Sequence, residues 1–176
     1  RGIRQIAEAT HRIGLRLNLC GRFYSKGLEQ ELLENYSNVK YLGFLGITDI
    51  SKILSNSGMG FVTLLDTPND AMSYPVKLFE YMASGKPIIS TVKMGYCPLK
   101  KYKCGLSLEQ DTPEELAKVI MQIYEMPKEK YNKICENANN AAKDFDYKIL
   151  TKKNLCHETV HISFLLLPFS VGITLL

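Results

Sequence analysis

The sequence predicts an α/β fold, a Rossmann-like parallel sheet with helices on both of its faces. Short apolar segments alternate with amphipathic ones at about 20 to 25 residues per unit, as in successive βαβ crossovers. Some of the short segments are apolar almost throughout, such as MGFVTLL over residues 59–65, which is typical of strands buried on both faces. The composition of 45% hydrophobic and 23% charged residues suits a soluble globular domain.

The first half of the chain begins with a helix rather than a strand. Apolar residues at three- and four-residue spacing predict a helix over residues 2–13. A strand over 15–20, a helix over 27–36, a strand over 39–45, a helix over 48–57 and a strand over 59–65 follow, and Thr48 or Asp49 is the expected cap of the third helix. Because a Rossmann-like domain ordinarily begins with a strand, we expect a first strand, and a whole preceding domain, to lie upstream of Arg1.

The second half continues the alternation. We predict a helix over residues 76–85, strands over 87–91 and 104–108, a helix over 111–126 and a final helix over 128–145. Asp111 or Thr112 is the expected cap of the helix over residues 111–126, and Pro113 lies in its first turn. The tyrosine- and lysine-rich segment 96–102 is expected to be a solvated loop. Residues 1–150 are therefore assigned to one domain.

Residues 151–176 form a tail whose last part is unusual. Its final 16 letters, HISFLLLPFSVGITLL, contain no Asp, Glu, Lys or Arg. They are fewer than the roughly 20 apolar residues that a membrane-spanning helix needs, and Pro168 and Gly172 interrupt them. We favour three interpretations over an anchor on a membrane surface: a returning strand or helix docked on the domain, a segment that belongs to another domain, or a cloning or frameshift remnant.

Charge and cysteine content exclude several classes of protein. The formal net charge is +4, and the basic residues are scattered, whereas a nucleic-acid-binding protein more often carries a basic stripe interleaved with aromatic residues. We therefore expect no nucleic-acid partner, while an anionic small ligand or an anionic membrane surface fits. Five cysteines without a C-x-x-C spacing indicate neither a disulfide framework nor a zinc site, and a reducing cytoplasm is the expected location.

A candidate site lies in the stretch YPVKLFEYMASGKPIIS, residues 74–90. The preceding loop leaves the carboxyl end of a predicted strand and enters a helix whose first N–H groups favour an anion such as phosphate. Lys77 adds positive charge in the first turn. Glu80 follows three residues later, on the same face, and its carboxylate can accept two hydrogen bonds from a ribose diol. From the residues alone, a solvent-exposed ion pair between the two side chains is an equally good interpretation.

The segment SYPVKLFEYMASGKPIIS resembles the donor-site signature of glycosyltransferase family 4, retaining GT-B enzymes that use nucleotide sugars. It is most similar to the bacterial polysaccharide and lipopolysaccharide branch. RGIRQIAEA at the start of the chain and VKYLGFLGITDISKILSNSGMGFVTLL over residues 39–65 resemble two further segments of the C-terminal domain in that family. The resemblance covers about residues 1–145, and it implies one half of a GT-B fold, the half that binds the sugar donor.

The resemblance also implies roles for residues that match the motif. Glu80 matches the glutamate that binds the ribose hydroxyls, and Val76 and Lys77 match the turn that faces the phosphates. Arg1 matches a basic residue that contacts the diphosphate.

The implied site also includes a loop after the second strand and one position at which this chain differs from the family pattern. Gly43 and Phe44, in loop 43–45, match the segment whose backbone contacts the base. The family pattern has a further glutamate, which contacts the sugar, at the position where this chain has Met72. Asp70 or Asn69 is the expected substitute, unless backbone groups bind the sugar.

The resemblance implies a hexosyltransferase-type enzyme of polysaccharide biosynthesis. Its donor is a UDP-, GDP- or ADP-sugar, no metal or other cofactor is needed, and the sugar passes with retention to a glycan or lipid-linked acceptor held by the N-terminal domain. This chain alone is expected to bind nucleotide without transferring sugar, in the cytoplasm, with peripheral association at the inner face of the plasma membrane. The alternatives are a non-catalytic nucleotide-binding module and another GT-B enzyme such as a nucleotide-sugar 2-epimerase.

Overall fold

A six-stranded sheet forms the centre of the protein, and helices cover both of its faces. The computed structural model describes residues 2–23, 25–63, 74–92, 97–108, 110, 112–146, 148–150 and 172–175. The elements within them, in chain order, are α1 (Ile3–Arg12), β1 (Leu17–Cys20), α2 (Lys26–Asn35), β2 (Val39–Tyr41), α3 (Ile47–Ser55), β3 (Met59–Val62), α4 (Val76–Ala83), β4 (Ile88–Ser90), α5 (Pro98–Tyr102), β5 (Gly105–Ser107), α6 (Pro113–Tyr124), α7 (Lys128–Asp144) and β6 (Gly172–Leu175).

The sheet has the strand order β2-β1-β6-β3-β4-β5. Strand β1 runs parallel to β2, and β3, β4 and β5 run parallel to one another. Each of the connections through α2, α4 and α5 joins two parallel neighbours, which is the βαβ arrangement that the sequence predicts. The predicted α/β class, with parallel strands flanked by helices, is confirmed.

Strand β6 differs from the predicted all-parallel arrangement. It lies between β1 and β3 and is antiparallel to both, with Leu175 opposite Leu17 and Met59, and Ile173 opposite Leu19 and Phe61. Residues 172–175 are thus a strand of the sheet, and the status of the tail 151–176 as a whole stays a prediction. The prediction for the rest of the tail falls on residues 151–171 and Leu176, which lie outside the described residues.

The two faces of the sheet have separate apolar clusters, because successive side chains of a strand point to opposite faces. One cluster contains Leu17, Leu19 and Phe61 and is covered by α1, α2 and α6. The other contains Val62 and Ile88 and is covered by α3, α4, α5 and α7. Strands β1, β3 and β4 are buried at every position, which explains why their sequences are nearly continuous apolar runs.

Glycine at two sheet positions permits very close packing. A Cβ atom built on Gly60 would lie 2.6 Å from Cγ of the Tyr81 ring, so the ring of α4 rests directly on the backbone of β3. A Cβ atom on Gly105 would lie 2.1 Å from the carbonyl oxygen of Ile88 in the neighbouring strand. Any larger residue at either position would have to displace its neighbour.

The predicted helix caps agree with the structure for α6 and differ from it for α3. The backbone N–H of Glu115 donates to the hydroxyl of Thr112 at 3.3 Å, which confirms Thr112 as the cap of α6. The expected cap of α3 is wrong, because the helix begins at Ile47 after Gly46 and takes Thr48 and Asp49 into its first turn.

Two further segments differ from the sequence prediction. Strand β2 ends at Tyr41, so residues 42–46 form a loop rather than the end of a longer strand. The expected loop 96–102 contains the short helix α5, which buries Pro98 and Leu99. Among the described residues, no helix has the length and apolar character needed to cross a membrane.

Candidate functional site

The carboxyl ends of the parallel strands meet at one edge of the sheet, where ligands of open α/β folds bind. The loops after β1 and β2 lie at this edge, as do the starts of α3 and α4. The start of α1 reaches it too, since a Cβ atom built on Gly2 would lie 3.1 Å from Cβ of Thr63, directly after β3. The edge therefore brings together segments that are far apart in sequence.

Two hydrogen bonds join the loops that follow β1 and β2. The N–H of Gly21 donates to the carbonyl oxygen of Gly43 at 2.8 Å, and the hydroxyl of Tyr41 donates to the carbonyl oxygen of Gly21 at 2.7 Å. Both glycines have positive φ, 124° for Gly21 and 71° for Gly43, a conformation that other residues rarely adopt. The backbone of loop 43–45 is thus held in a fixed position at the edge.

Phe44, in the same loop, is 53% exposed, and its ring carries a cation on one face. The guanidinium carbon of Arg22 lies 4.6 Å from the ring centroid, within the range of a cation–π interaction. Sequence reasoning identified Gly43 and Phe44 but missed Gly21, Arg22 and Tyr41. A signal was present in the Gly-Arg pair that follows a buried strand directly, at the point where an open sheet binds its ligands.

Helix α4 begins at the edge, and no side chain of the described residues caps it. Its cap residue, Pro75, is extended and supplies no side-chain hydrogen bond, while its carbonyl oxygen accepts a bond from the N–H of Leu78 at 2.9 Å. Val76 is 70% exposed and Lys77 is half-buried. An uncapped helix start with a lysine in its first turn provides positive potential suited to an anion.

Glu80 lies one turn further along α4 and is half-buried. Burial raises the pKa of its carboxyl group, and the nearby charge of Lys77 opposes that rise. A different pair shows the contrast: Glu136 on α7, also three residues after a lysine, is exposed, and the hydrogen bond that it accepts from Lys133 lowers its pKa. Glu80 is therefore a partly desolvated carboxylate rather than one half of an ordinary surface ion pair.

Four of the predicted site residues are Arg1, Asn69, Asp70 and Met72. They lie outside the described residues, as does the whole of segment 64–73. Their assigned contacts with the diphosphate and the sugar stay predictions.

Among the described residues, two buried cysteines and the possible metal ligands are the candidates for a further chemistry. Burial raises the pKa of Cys20, which ends β1, and raises that of Cys104 to about 11, so neither is an activated thiolate. Within the part of the chain that the structure describes, no group of three or more His, Cys, Asp or Glu side chains is placed to hold a metal ion.

Comparison with known proteins identifies the family. The sequence profile described as "Glycosyl transferases group 1" matches residues 1–126, most of the chain. The chain belongs to this family. A comparison with curated proteins gave no match.

Solved structures show the same fold for the glycosyltransferase domain. WaaG, a glycosyltransferase involved in lipopolysaccharide biosynthesis, matches with a TM-score of 0.64 and 21% sequence identity over 86% of this chain and 40% of that one. AviGT4, a glycosyltransferase involved in avilamycin A biosynthesis, matches with a TM-score of 0.55 and 18% identity over 86% of this chain and 47% of that one. The chain thus spans less than half of either protein, and its fold is that of the C-terminal half of a GT-B glycosyltransferase.

Proposed function

We propose that this chain binds the nucleoside diphosphate part of a sugar donor at the carboxyl edge of its sheet, as the donor-binding domain of a retaining glycosyltransferase. The observation that carries the proposal is the partly desolvated carboxylate of Glu80, placed one turn behind Lys77 at an uncapped helix start. A partly desolvated carboxylate gains from hydrogen bonds to its charged form, which a vicinal diol supplies. The family membership supports the same activity.

Positive charge at the start of α4 suits the diphosphate. As the glycosidic bond breaks, negative charge grows on the departing nucleoside diphosphate, and donors fixed in place stabilise it without rearranging. Lys77 and the first N–H groups of α4 have this role in the proposal, with Arg1 as a second cation. Such stabilisation requires no metal ion.

The loop after β2 is the proposed contact for the base. The hydrogen bond from Gly21 fixes Gly43, and the exposed ring of Phe44 with Arg22 offers an apolar and cationic surface beside it. Residues Asn69, Asp70 and Met72 precede α4 and are the proposed contacts of the sugar. A glycan or lipid-linked acceptor would be held by another domain.

Titration calorimetry with UDP, GDP and ADP, each compared with its monophosphate, tests donor binding directly. Glu80→Gln should weaken nucleoside diphosphate binding by about 1 to 3 kcal/mol, the range for losing a charged hydrogen bond. Lys77→Ala should weaken the binding of nucleoside diphosphates more than the binding of monophosphates. A 2′,3′-dideoxy nucleoside diphosphate removes the ribose partner instead, and equal affinity for the ribo and dideoxy forms would show that Glu80 does not bind ribose.

Helix α7 supplies a matched control. Lys133 and Glu136 have the same order and spacing as Lys77 and Glu80, but they form an exposed ion pair of 2.8 Å. Glu136→Gln and Lys133→Ala should leave nucleotide affinity unchanged. A loss of affinity equal to that of the α4 variants would show that general charge, rather than a site, binds the nucleotide.

Two wider parts of the proposal concern the chain by itself. The chain alone binds nucleotide and transfers no sugar, because the acceptor is held elsewhere. Release of free sugar from a UDP-, GDP- or ADP-sugar by this chain would contradict this part of the proposal.

We also place the protein in the cytoplasm with peripheral association at the inner face of the plasma membrane, for which the net charge of +4 is the support. Co-sedimentation with anionic and neutral vesicles tests this location.

A further inference from the structure

A polar pocket of about 470 Å³ lies at the amino edge of the sheet, where β1 and β2 begin. The residues that line it are Gly14, Arg16, Ser37, Asn38, Val39 and Lys40. None of these described residues is acidic, and two of them are cations. The full length of β1 and β2 separates this pocket from the proposed donor site, so a ligand bound here is additional to the sugar donor.

The pairing of β1 with β2 brings the two cations together. Arg16 directly precedes β1, and Lys40 is the second residue of β2. The two strands are parallel neighbours, with Leu17 opposite Val39. Leu17 and Val39 belong to the apolar cluster on one face of the sheet. Because successive side chains alternate between the faces, the adjacent residues Arg16 and Lys40 both lie on the other face.

Neither cation is neutralised within the described part of the chain. The side chains of Arg16 and Lys40 form no ion pair or hydrogen bond there, and both residues are exposed. Other arginines are paired: Arg4 bonds to Glu31, and Arg12 bonds to two glutamates. Two like charges that line one pocket repel each other, and an anion between them would turn this repulsion into attraction.

The turn between α2 and β2 adds neutral donors to the same pocket. The N–H of Val39 donates to the carbonyl oxygen of Tyr36 at 3.0 Å, which closes the turn. The N–H groups of the two residues inside the turn, Ser37 and Asn38, have no acceptor among the described residues. Successive N–H groups of a turn, together with cationic side chains, are typical ligands of a phosphate group.

Side-chain hydrogen bonds hold this wall of the pocket in place. Nδ2 of Asn38 donates to Oγ1 of Thr10 at 2.9 Å and to the carbonyl oxygen of Leu15 at 2.8 Å. Its Oδ1 lies 3.2 Å from Nδ1 of His11. These contacts join the turn before β2 to the end of α1 and to the segment before β1. The donors are therefore in position before a ligand arrives, which lowers the entropy cost of binding.

We propose that this pocket binds a phosphate group, through the guanidinium of Arg16, the ammonium of Lys40 and the N–H groups of Ser37 and Asn38. An arginine holds a phosphate by paired hydrogen bonds, and a lysine holds it as a point charge. The carrier of the group is a soluble phosphate ester or the headgroup of an anionic phospholipid, because both present the same oxygen atoms.

Amide chemical shifts of the full chain, titrated with inorganic phosphate, test the site. The amides of Ser37 and Asn38 should shift and reach saturation, and Arg16→Ala or Lys40→Ala should weaken the apparent affinity at least about tenfold. Lys77→Ala alters only the proposed donor site and should leave these shifts unchanged. Sodium chloride at the same ionic strength controls for screening. Equal shifts of the two amides in chloride would overturn the proposal.

Helix α7 offers a matched control for charge. Lys130 is exposed, and Lys130→Ala removes the same charge as Lys40→Ala at a position outside the pocket. This variant should bind inorganic phosphate as the natural protein does. Equal weakening by the two substitutions would show that general charge attracts the anion, and the pocket would then not be a site.

Two further titrations distinguish the carriers of the phosphate. The probes are glycerol 3-phosphate and vesicles of phosphatidylcholine mixed with phosphatidic acid. For a lipid headgroup, Lys40→Ala should lower vesicle binding by a larger factor than Lys130→Ala. For a soluble ester, glycerol 3-phosphate should shift the amides of Ser37 and Asn38, while the two variants lose vesicle binding equally. Absence of both effects would overturn the proposal.

Discussion

At the scale of single residues, Glu80 and Glu136 show how surroundings decide the role of one sequence pattern. Each follows a lysine by three residues on a helix, so the sequence alone assigns them the same ion pair. In the structure, burial raises the pKa of Glu80, whereas the hydrogen bond from Lys133 lowers the pKa of Glu136. The spacing of the pair was predictable, while the partial burial of Glu80 required knowledge of how α4 packs.

The raised pKa of Glu80 predicts a gain in stability for Glu80→Gln at neutral pH. Below the ordinary carboxyl pKa of 4.5, Glu80 is protonated in both the folded and the unfolded states. The natural protein and the variant should therefore have the same melting temperature there. As the pH rises above that value, the unfolded state ionises first, which favours unfolding of the natural protein. The natural protein should therefore melt below the variant at pH 7.

Melting curves between pH 4 and pH 7 measure this difference. The control is Glu136→Gln, for which the expected change in melting temperature at pH 7 has the opposite sign. A carboxyl with a lowered pKa stabilises the folded state above its ordinary pKa, so this variant should melt at or slightly below the natural protein at pH 7. A Glu80→Gln variant that melts below the natural protein at pH 7 would contradict the proposed desolvation.

At the scale of elements, the period of the apolar residues located most helices and strands to within a few residues, because each buries one face or both in a local pattern. The apolar pattern did not predict features that depend on contacts between segments distant in sequence. Helix α5 is only five residues long and forms around the burial of Pro98 and Leu99 in a lysine-rich stretch. Strand β6 has no local signal for its direction, which depends on the space between β1 and β3. Likewise, the link between Gly21 and Gly43 joins two loops that sequence spacing does not relate.

The contact of α4 with β3 predicts a loss of stability in Gly60→Ala. The added methyl group would meet the buried ring of Tyr81, and overpacking of this kind typically destabilises by about 1 to 3 kcal/mol. Gly58→Ala is the matched control, since a Cβ atom there meets nothing within 4 Å. Urea unfolding of the two variants measures the difference.

A double-mutant cycle identifies the cause of that loss. If the clash with the ring is responsible, Tyr81→Leu should reduce the effect of Gly60→Ala, because the smaller side chain leaves room for the methyl group. Strict additivity of the two substitutions would instead assign the loss to the backbone of β3.

At the scale of the whole molecule, the chain carries the C-terminal half of a GT-B glycosyltransferase and less than half the length of the solved structures it matches. The family could be predicted from sequence because the α4 motif is long and specific. The direction of the central strand could not, since it depends on contacts between segments distant in sequence. The site follows from the parallel strands around it, whose carboxyl ends bring Gly43, Phe44, Lys77 and Glu80 to one edge.

The central position of β6 also has a consequence for the order in which the molecule folds. Strands β2 and β1 form one local unit and β3, β4 and β5 another, and within the described sheet they are hydrogen-bonded to each other only through β6. Contacts between residues so distant in sequence form late, because the loop that they close is long. Pulse-labelled refolding should therefore show amides within each unit protected first and those of β6 in a slower phase, so that the two halves of the sheet fold as separate bodies before they become one.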